Sequence, residues 1–179
     1  AITIFEEAEA KKINLSARSI LLYIYLLRKH EKHRYNFERL YILYVKLNED
    51  PAFEPRPITL FRYAVLCYQL GKFREGEEKF RRLRDLRRRS GYAPRVQDFL
   101  RDLNDPEKPR VVSIKIIRKI TEWRAEGYID ALRQKVPLRP RHFTPPPKEK
   151  EIIDCAVRFE YNGPLAIPTR FFDSRHSIK

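Results

Sequence analysis

The sequence predicts an α+β protein in which antiparallel helical hairpins are followed by a small five-stranded β-barrel. Apolar side chains recur at helical spacing in residues 13–89, whereas β-branched and aromatic residues alternate with polar ones from residue 111 onward. The proline-containing segment NDPEKP, at 104–109, separates the two patterns. We therefore predict a helical domain at 1–104 and a barrel domain with a C-terminal tail at 105–179.

The helical domain is predicted to begin with one pair of helices. Apolar stripes predict these helices at 13–28 and 35–48. Three prolines in the segment 49–57 remove backbone donors and favour extended conformations, so a loop is expected there.

A second pair of helices is predicted after that loop. Thr59 is the expected N-cap of a helix at 60–70, and Gly71 is expected to end it. A further helix is predicted at 73–89, and a short helix at 95–103 precedes the linker.

Short strands are predicted in the second domain. VVSIKII (111–117) and EGYIDAL (126–132) are rich in β-branched and aromatic residues, and EIIDCAVRFEY (151–161) alternates. The Asn162-Gly163 pair predicts a hairpin turn before the final segment PLAIPTRFF, and TPPPKEK (144–150) predicts an exposed loop. Several short strands joined by turns indicate a small barrel.

The chain is strongly basic, with 38 Lys and Arg against 24 Asp and Glu and a formal charge of +14. The excess is shared: residues 1–109 have 23 cations and 16 anions, and residues 110–179 have 15 and 8, so each part is +7. This charge favours a polyanionic partner, nucleic acid first and an anionic membrane surface second. The longest apolar run, 20–27, is too short to span a bilayer. Of the two candidate partners we predict nucleic acid and no membrane.

Two cysteines, Cys67 and Cys155, are too few for a disulfide framework and too far apart for a paired zinc motif. We expect both to be buried thiols in a reducing, cytoplasmic compartment. No signal-peptide pattern is found, and the sequence has no methionine. It is therefore expected to be a fragment of a larger protein or a processed chain.

No residue pattern predicts an active site. The five glycines form no phosphate-binding loop, and no nucleophile motif is present. His30 and His33 have i,i+3 spacing, but no further ligand recurs at metal spacing, so a surface pair is expected. The sequence predicts that the protein is not an enzyme and that it has no cofactor or metal.

The second predicted helix pair carries small and aromatic residues at regular positions, namely Leu60, Tyr63, Ala64, Gly71, Phe73, Gly76 and Phe80. This pattern resembles the tetratricopeptide repeat family, in which small residues let antiparallel helices approach and aromatic rings fill the groove between them. A looser copy has Tyr35 in the place of Phe73 and Ile42 in that of Phe80, offset by 38 residues instead of roughly 34. A generic helical bundle is the alternative.

Three short motifs of the second domain are Arg124 with Gly127-Tyr128-Ile129, then His142-Phe143, then Gly163-Pro164-x-Ala166. In this order they resemble the cold-shock domain family, whose five-stranded OB-type barrel binds single-stranded nucleic acid. At four positions that family carries base-stacking rings where this chain has Lys119, Ile120, Glu126 and Pro140. The resemblance therefore implies a weaker contact with little sequence preference.

The barrel residues predicted to contact nucleic acid are aromatic or cationic: Lys119, Arg124, Tyr128, Arg139, Arg141, His142 and Phe143. The alternatives are that Tyr128 and Phe143 are core or rim residues and that His142 makes only a structural hydrogen bond. Trp123 is nearby in the sequence but out of register with the stacking positions, and the alternative for it is that it packs the barrel against the helices.

The segment KFRRLRDLRRR (79–89) predicts a second basic surface. Arg81, Arg84 and Arg88 lie on one flank of this helix, and only Asp85 offsets them locally. We predict that these three arginines contact phosphates, because a guanidinium group binds phosphate oxygens in pairs. The alternatives are that these arginines bind an acidic protein surface or form ion pairs with a domain outside this sequence.

Together these features predict a nucleic-acid-binding module, for RNA or single-stranded DNA with low sequence specificity, within a larger protein. Two alternatives are a protein-interaction scaffold that binds a protein partner through the helical repeats, and a regulatory segment for an enzymatic domain elsewhere in the chain.

Overall fold

The computed structural model describes residues 1–30, 33–91 and 96–173, and it confirms the predicted fold class. Five helices precede a closed β-barrel of five strands. The helices are α1 (Ile2–Ala10), α2 (Ala17–Lys29), α3 (Phe37–Glu49), α4 (Pro57–Gln69) and α5 (Phe73–Ser90), with a short α6 (Arg170–Asp173) after the barrel. Among the described residues, no helix is long and apolar enough to cross a membrane.

Polar caps set the beginnings of α2 and α3. The Ser16 hydroxyl accepts a hydrogen bond from the Ser19 backbone N–H at 3.3 Å, and the Asn36 side chain accepts one from Arg39 N–H at 3.1 Å. The first predicted helix therefore begins a few residues later than expected. Helix α1 was not predicted. None of its residues is fully buried.

Helices α4 and α5 form a close antiparallel pair. Helix α4 begins at Pro57 with Arg56 as its N-cap, so the predicted Thr59 cap is wrong; proline favours the first helical turn. Gly71, at φ 72°, follows the end of α4 as predicted. A Cβ atom added at Gly76 would lie only 2.6 Å from the Tyr68 ring, so a small residue is required there.

The strands are β1 (Gln97–Phe99), β2 (Val111–Thr121), β3 (Arg124–Ile129), β4 (Gln134–Leu138), β5 (Ile152–Glu160) and β6 (Gly163–Ile167). Single 3-10 turns occupy Asp130–Leu132 and Pro140–His142. The short helix predicted at 95–103 is wrong over its described part, because β1 instead pairs antiparallel with β5 and extends the sheet.

The barrel closes in the order β2, β3, β4, β6, β5 and back to β2. Every pairing around it is antiparallel except β4 with β6, which is parallel at Leu138 and Ala166. This topology is compatible with an OB-like fold. Gly127 faces the interior, where an added Cβ would lie 2.4 Å from Ile114 Cγ1, so the sheet bends tightly there.

Among the described residues, two large apolar cores hold the helices and the barrel, and a small third cluster contains Ala156, Leu165 and Ile167. One lies among α1 to α4, and the other joins α4 and α5 to the barrel interior. In the second core, the Tyr68 and Phe80 rings lie 5.1 and 6.0 Å from the Phe159 ring. Cys67 and Cys155 are buried and free, as predicted. The domain division at 104 and 105 stays a prediction, and the second core crosses it.

The helices cover one end of the barrel. Tyr68 Oη donates to Gln134 at the start of β4 (2.9 Å), and the Arg84 side chain donates to the Asn162 carbonyl (3.0 Å) in the β5–β6 turn. The outer face of β2, β3 and β4 carries exposed polar side chains. That face is therefore left available to a partner.

Candidate nucleic-acid interface

The outer face of the barrel carries a row of cations around one tyrosine. Strand pairing places Tyr128 of β3 between Lys115 of β2 and Lys135 of β4. Both lysines are exposed, and Tyr128 is half-buried. A half-exposed ring between two ammonium groups can contact a base while its neighbours contact phosphates.

Eight cations and three anions lie in residues 111–143. The cations are Lys115, Arg118, Lys119, Arg124, Arg133, Lys135, Arg139 and Arg141; the anions are Glu122, Glu126 and Asp130. All eight cations are exposed. In the part of the chain that the structure describes, none of the eight forms an ion pair, and they outnumber the three anions of the segment. We give the name barrel face to Tyr128 and six of these cations, namely Lys115, Arg118, Lys119, Arg124, Arg133 and Lys135.

Trp123 lies at the tip of the β2–β3 hairpin. The Thr121 hydroxyl accepts hydrogen bonds from the backbone N–H groups of Trp123 (3.2 Å) and Arg124 (3.1 Å), which fixes the turn. The Trp123 side chain is 58% exposed. The alternative that it packs the barrel against the helices is wrong, because the helices cover the other end of the barrel.

Arg141 is held over the Trp123 ring. Its guanidinium carbon lies 3.2 Å from the ring centroid. The 3-10 turn Pro140–His142 positions it, and the Arg141 backbone N–H donates to the Glu122 carbonyl at 3.3 Å. In this cation–π pair the guanidinium group covers one face of the Trp123 ring, and both groups remain exposed to solvent.

His142 lies within a cluster of arginines next to this pair. Partial burial lowers the pKa of its imidazole, and the guanidinium groups of Arg139, Arg141, Arg158 and Arg170 lower it further. Positive charge is therefore concentrated around His142.

The start of α6 closes over His142. Arg170 donates to the His142 carbonyl at 2.6 Å, and the Phe171 ring packs edge-on at 5.5 Å from the imidazole. Phe171 is 40% exposed. We call Trp123, Arg139, Arg141, His142, Arg170 and Phe171 the tip cluster.

The remaining barrel predictions divide between surface and core. Phe143 is only 8% exposed and belongs to the core of the barrel, so its ring cannot stack on a base, and the alternative core role is correct for it. Lys119 is exposed, and its backbone N–H donates to the Glu149 carboxylate at 2.9 Å. The register that pairs Ala125 with Leu138 brings Arg124 beside Arg139.

The α5 arginines lie elsewhere. Arg84 binds the Asn162 carbonyl and pairs with Glu77 at 2.6 Å, and Arg88 pairs with Asp85 at 3.6 Å. Arg81 is exposed. Arg84 therefore fixes the helix to the barrel, while Arg81 and Arg88 keep exposed side chains.

Strand register separates the α5 arginines from the tip cluster. Arg84 contacts the β5–β6 turn, which extends past the first residue of β2. Trp123 follows the last residue of β2, at the opposite end of that strand. Strand β2 has 11 residues, which span roughly 30 Å. The arginine helix and the tip cluster are thus at opposite ends of the barrel.

Sequence reasoning missed seven residues of this surface, namely Lys115, Arg118, Trp123, Arg133, Lys135, Arg170 and Phe171. The alternation within β2 and β4 could have placed the two lysines outside, because Ile114 and Val136 beside them are apolar. Nothing local predicts that Arg170 and Phe171 return to His142, because 28 residues separate Arg170 from it.

No protein-family model, curated protein or solved structure matches this chain. The tetratricopeptide and cold-shock resemblances therefore stay predictions. Among the residues that the structure describes, no group of three His, Cys, Asp or Glu side chains could hold a metal ion.

Proposed function

We propose that the barrel face and the tip cluster together bind single-stranded nucleic acid, RNA or DNA, with low sequence specificity. The observation that carries the proposal is the exposed Trp123 ring with Arg141 stacked on it, beside three further arginines around His142. Proteins that bind single strands commonly combine rings and cations in this way, because bases stack on the rings while the cations track the phosphates.

The row Lys115–Tyr128–Lys135 extends the surface along the barrel. A strand that stacks one base near Trp123 can follow the exposed cations of β2, β3 and β4 toward Tyr128. Stacking contributes about 1–3 kcal/mol per base, so two rings give a modest affinity. Counterion release from the phosphates adds to it and makes it dependent on salt.

Low sequence specificity follows from the side chains on the surface. The lysine and arginine side chains of the protein contact mainly the phosphates of a flexible nucleic-acid strand, and the phosphates are the same in every sequence. Two residues from Tyr128 along β3, Glu126 pairs with Pro137 of β4. Neither side chain has an aromatic ring on which a further base could stack.

Intrinsic fluorescence tests the proposal directly, because Trp123 is the only tryptophan in the chain. Titration with a short single-stranded oligonucleotide at low salt is expected to quench this fluorescence, and added salt is expected to reverse the quenching. Fluorescence that does not change, together with no shift in the anisotropy of a labelled oligonucleotide, would refute the proposal. A duplex of the same sequence is the control, and its binding should be weaker.

A protein-interaction scaffold is the second candidate, favoured by apolar side chains on the outside of the helices. Leu22 and Tyr25 of α2 are 51% and 47% exposed, and Ile42 of α3 is 52% exposed. A protein partner bound there would be retained at high salt and lost when Leu22 and Tyr25 are changed to serine. Retention that is unaffected by these changes would exclude this face.

A further inference from the structure

A cleft of about 230 Å³ lies between the helices and β1. Four arginines line it: Arg28, Arg34, Arg62 and Arg101. They come from the end of α2, the segment before α3, the middle of α4 and the residues after β1. Tertiary structure alone brings these four together.

Two carboxylates face the four guanidinium groups among the described residues. Asp98 pairs with Arg101 at 3.2 Å and more loosely with Arg28 at 3.8 Å. Glu107 pairs with Arg34 and accepts a hydrogen bond from the Tyr35 hydroxyl at 3.1 Å. Arg62 forms no ion pair with either carboxylate, so the cleft presents a guanidinium group to an anion in a concave site, where the field is concentrated.

Several contacts fix the cleft in advance of binding. The buried Gln69 side chain donates to the Arg101 carbonyl (2.8 Å) and accepts from its N–H (2.9 Å). The Arg101 guanidinium also donates to the Pro106 carbonyl at 2.9 Å. The Tyr35 ring lies 4.9 Å from the Arg34 guanidinium carbon and 5.2 Å from that of Arg101.

Arg62 supplies donors that no neighbour uses. Its side chain is half-buried on the wall of the cleft, and within the described residues it has no hydrogen bond or ion pair. Its guanidinium group can therefore donate to an anion that enters the cleft.

We infer that this cleft binds a phosphate monoester, with its dianionic group between Arg62, Arg28 and Arg101. The negative charge of such a group complements the guanidinium groups, and its oxygens match the planar forks of arginine. The volume fits a phosphate with part of the group attached to it and is too small for a folded partner. The inference is independent of the barrel face.

Calorimetric titration of the whole chain at low ionic strength tests the inference, with inorganic phosphate and a nucleoside 5′-monophosphate as separate probes. Both are expected to bind the wild type. If the nucleoside monophosphate binds more tightly than inorganic phosphate, the Tyr35 ring contacts the attached nucleoside. If the two probes bind with equal affinity, the phosphate group alone is recognised. Arg62→Gln is expected to weaken binding of either probe about tenfold, and Arg62→Lys is expected to weaken it less.

The matched control is Arg18→Gln, which removes an exposed arginine from the other end of α2 and should leave the titration unchanged. Trp123→Ala should also leave it unchanged, which separates this site from the tip cluster. Absence of heat with both probes, or equal affinity in Arg62→Gln and the wild type, would overturn the inference. Binding of a glutamate-rich peptide without phosphate binding would overturn it as well and would assign the cleft to a protein contact. A thermal melt of each variant verifies that it is folded.

Discussion

Arg141 stacks on Trp123 across the gap between the β2–β3 hairpin and the turn after β4, with the guanidinium carbon 3.2 Å from the ring centroid. The contact keeps the only tryptophan of the chain at the exposed end of the barrel, opposite the end that the helices cover. The ring is therefore available to a ligand and contributes little to the apolar core.

Removal of this ring should weaken nucleic-acid binding and leave folding intact. We expect Trp123→Ala to raise the dissociation constant for a single-stranded oligonucleotide roughly five- to 150-fold, because one stacking contact of about 1–3 kcal/mol is lost. Fluorescence anisotropy of a labelled oligonucleotide measures the change. Trp123→Phe should retain most of the affinity, and equal affinity in Trp123→Ala and the wild type would argue against stacking at this position.

Arginines of the tip cluster should contribute through phosphate contacts. Arg139 is exposed and has no ion pair within the described residues, so Arg139→Gln should reduce affinity without disturbing the fold. The slope of the logarithm of the binding constant against the logarithm of salt concentration should fall in magnitude by about 0.7. Arg18→Gln should not change that slope, and an unchanged slope in Arg139→Gln would mean that Arg139 contacts no phosphate.

His142 should report bound phosphate through its ionisation. Its pKa is lowered in the free protein by partial burial and by four arginines, so the neutral form is favoured. Phosphates near these arginines offset their charge and should raise the pKa, so affinity should increase as the pH falls from about 7 to about 5. Carbon-13 NMR of the imidazole with and without oligonucleotide measures the shift, and His142→Gln identifies the signal. A pKa that is the same in both states would place the strand away from His142.

Phe143 and Tyr128 should differ in what they support. Phe143→Ala removes a buried ring and should lower the free energy of unfolding by about 3–5 kcal/mol. Tyr128→Ala should lower it by less than about 1 kcal/mol and should instead weaken oligonucleotide binding. Urea denaturation and anisotropy of both variants give the comparison. A stable Phe143→Ala protein with impaired binding would restore a surface role for Phe143.

Gly76 should be required for the contact between α4 and α5. Alanine favours helix over glycine by about 1 kcal/mol, but its Cβ would clash with the Tyr68 ring at 2.6 Å. The clash should dominate, so Gly76→Ala should destabilise the protein by about 1–3 kcal/mol in urea denaturation. Glu78→Ala, at an exposed position of the same helix, should stay within about 0.5 kcal/mol of the wild type. A stabilised Gly76→Ala protein would mean that Tyr68 can move aside.

The sequence alone determined the fold class, the four longer helices, the hairpin turn at Asn162-Gly163 and the basic character of both parts. These features depend on periodicity and turn chemistry, which act over a few residues and can be counted along the chain. Tertiary structure decided what each segment faces. The segment at 97–99 became a strand because β5 offered it an open edge, Phe143 entered the core, Trp123 turned outward, and four distant arginines met in one cleft. Such outcomes depend on strand register and on packing between residues far apart in the chain, and no local pattern encodes either of them.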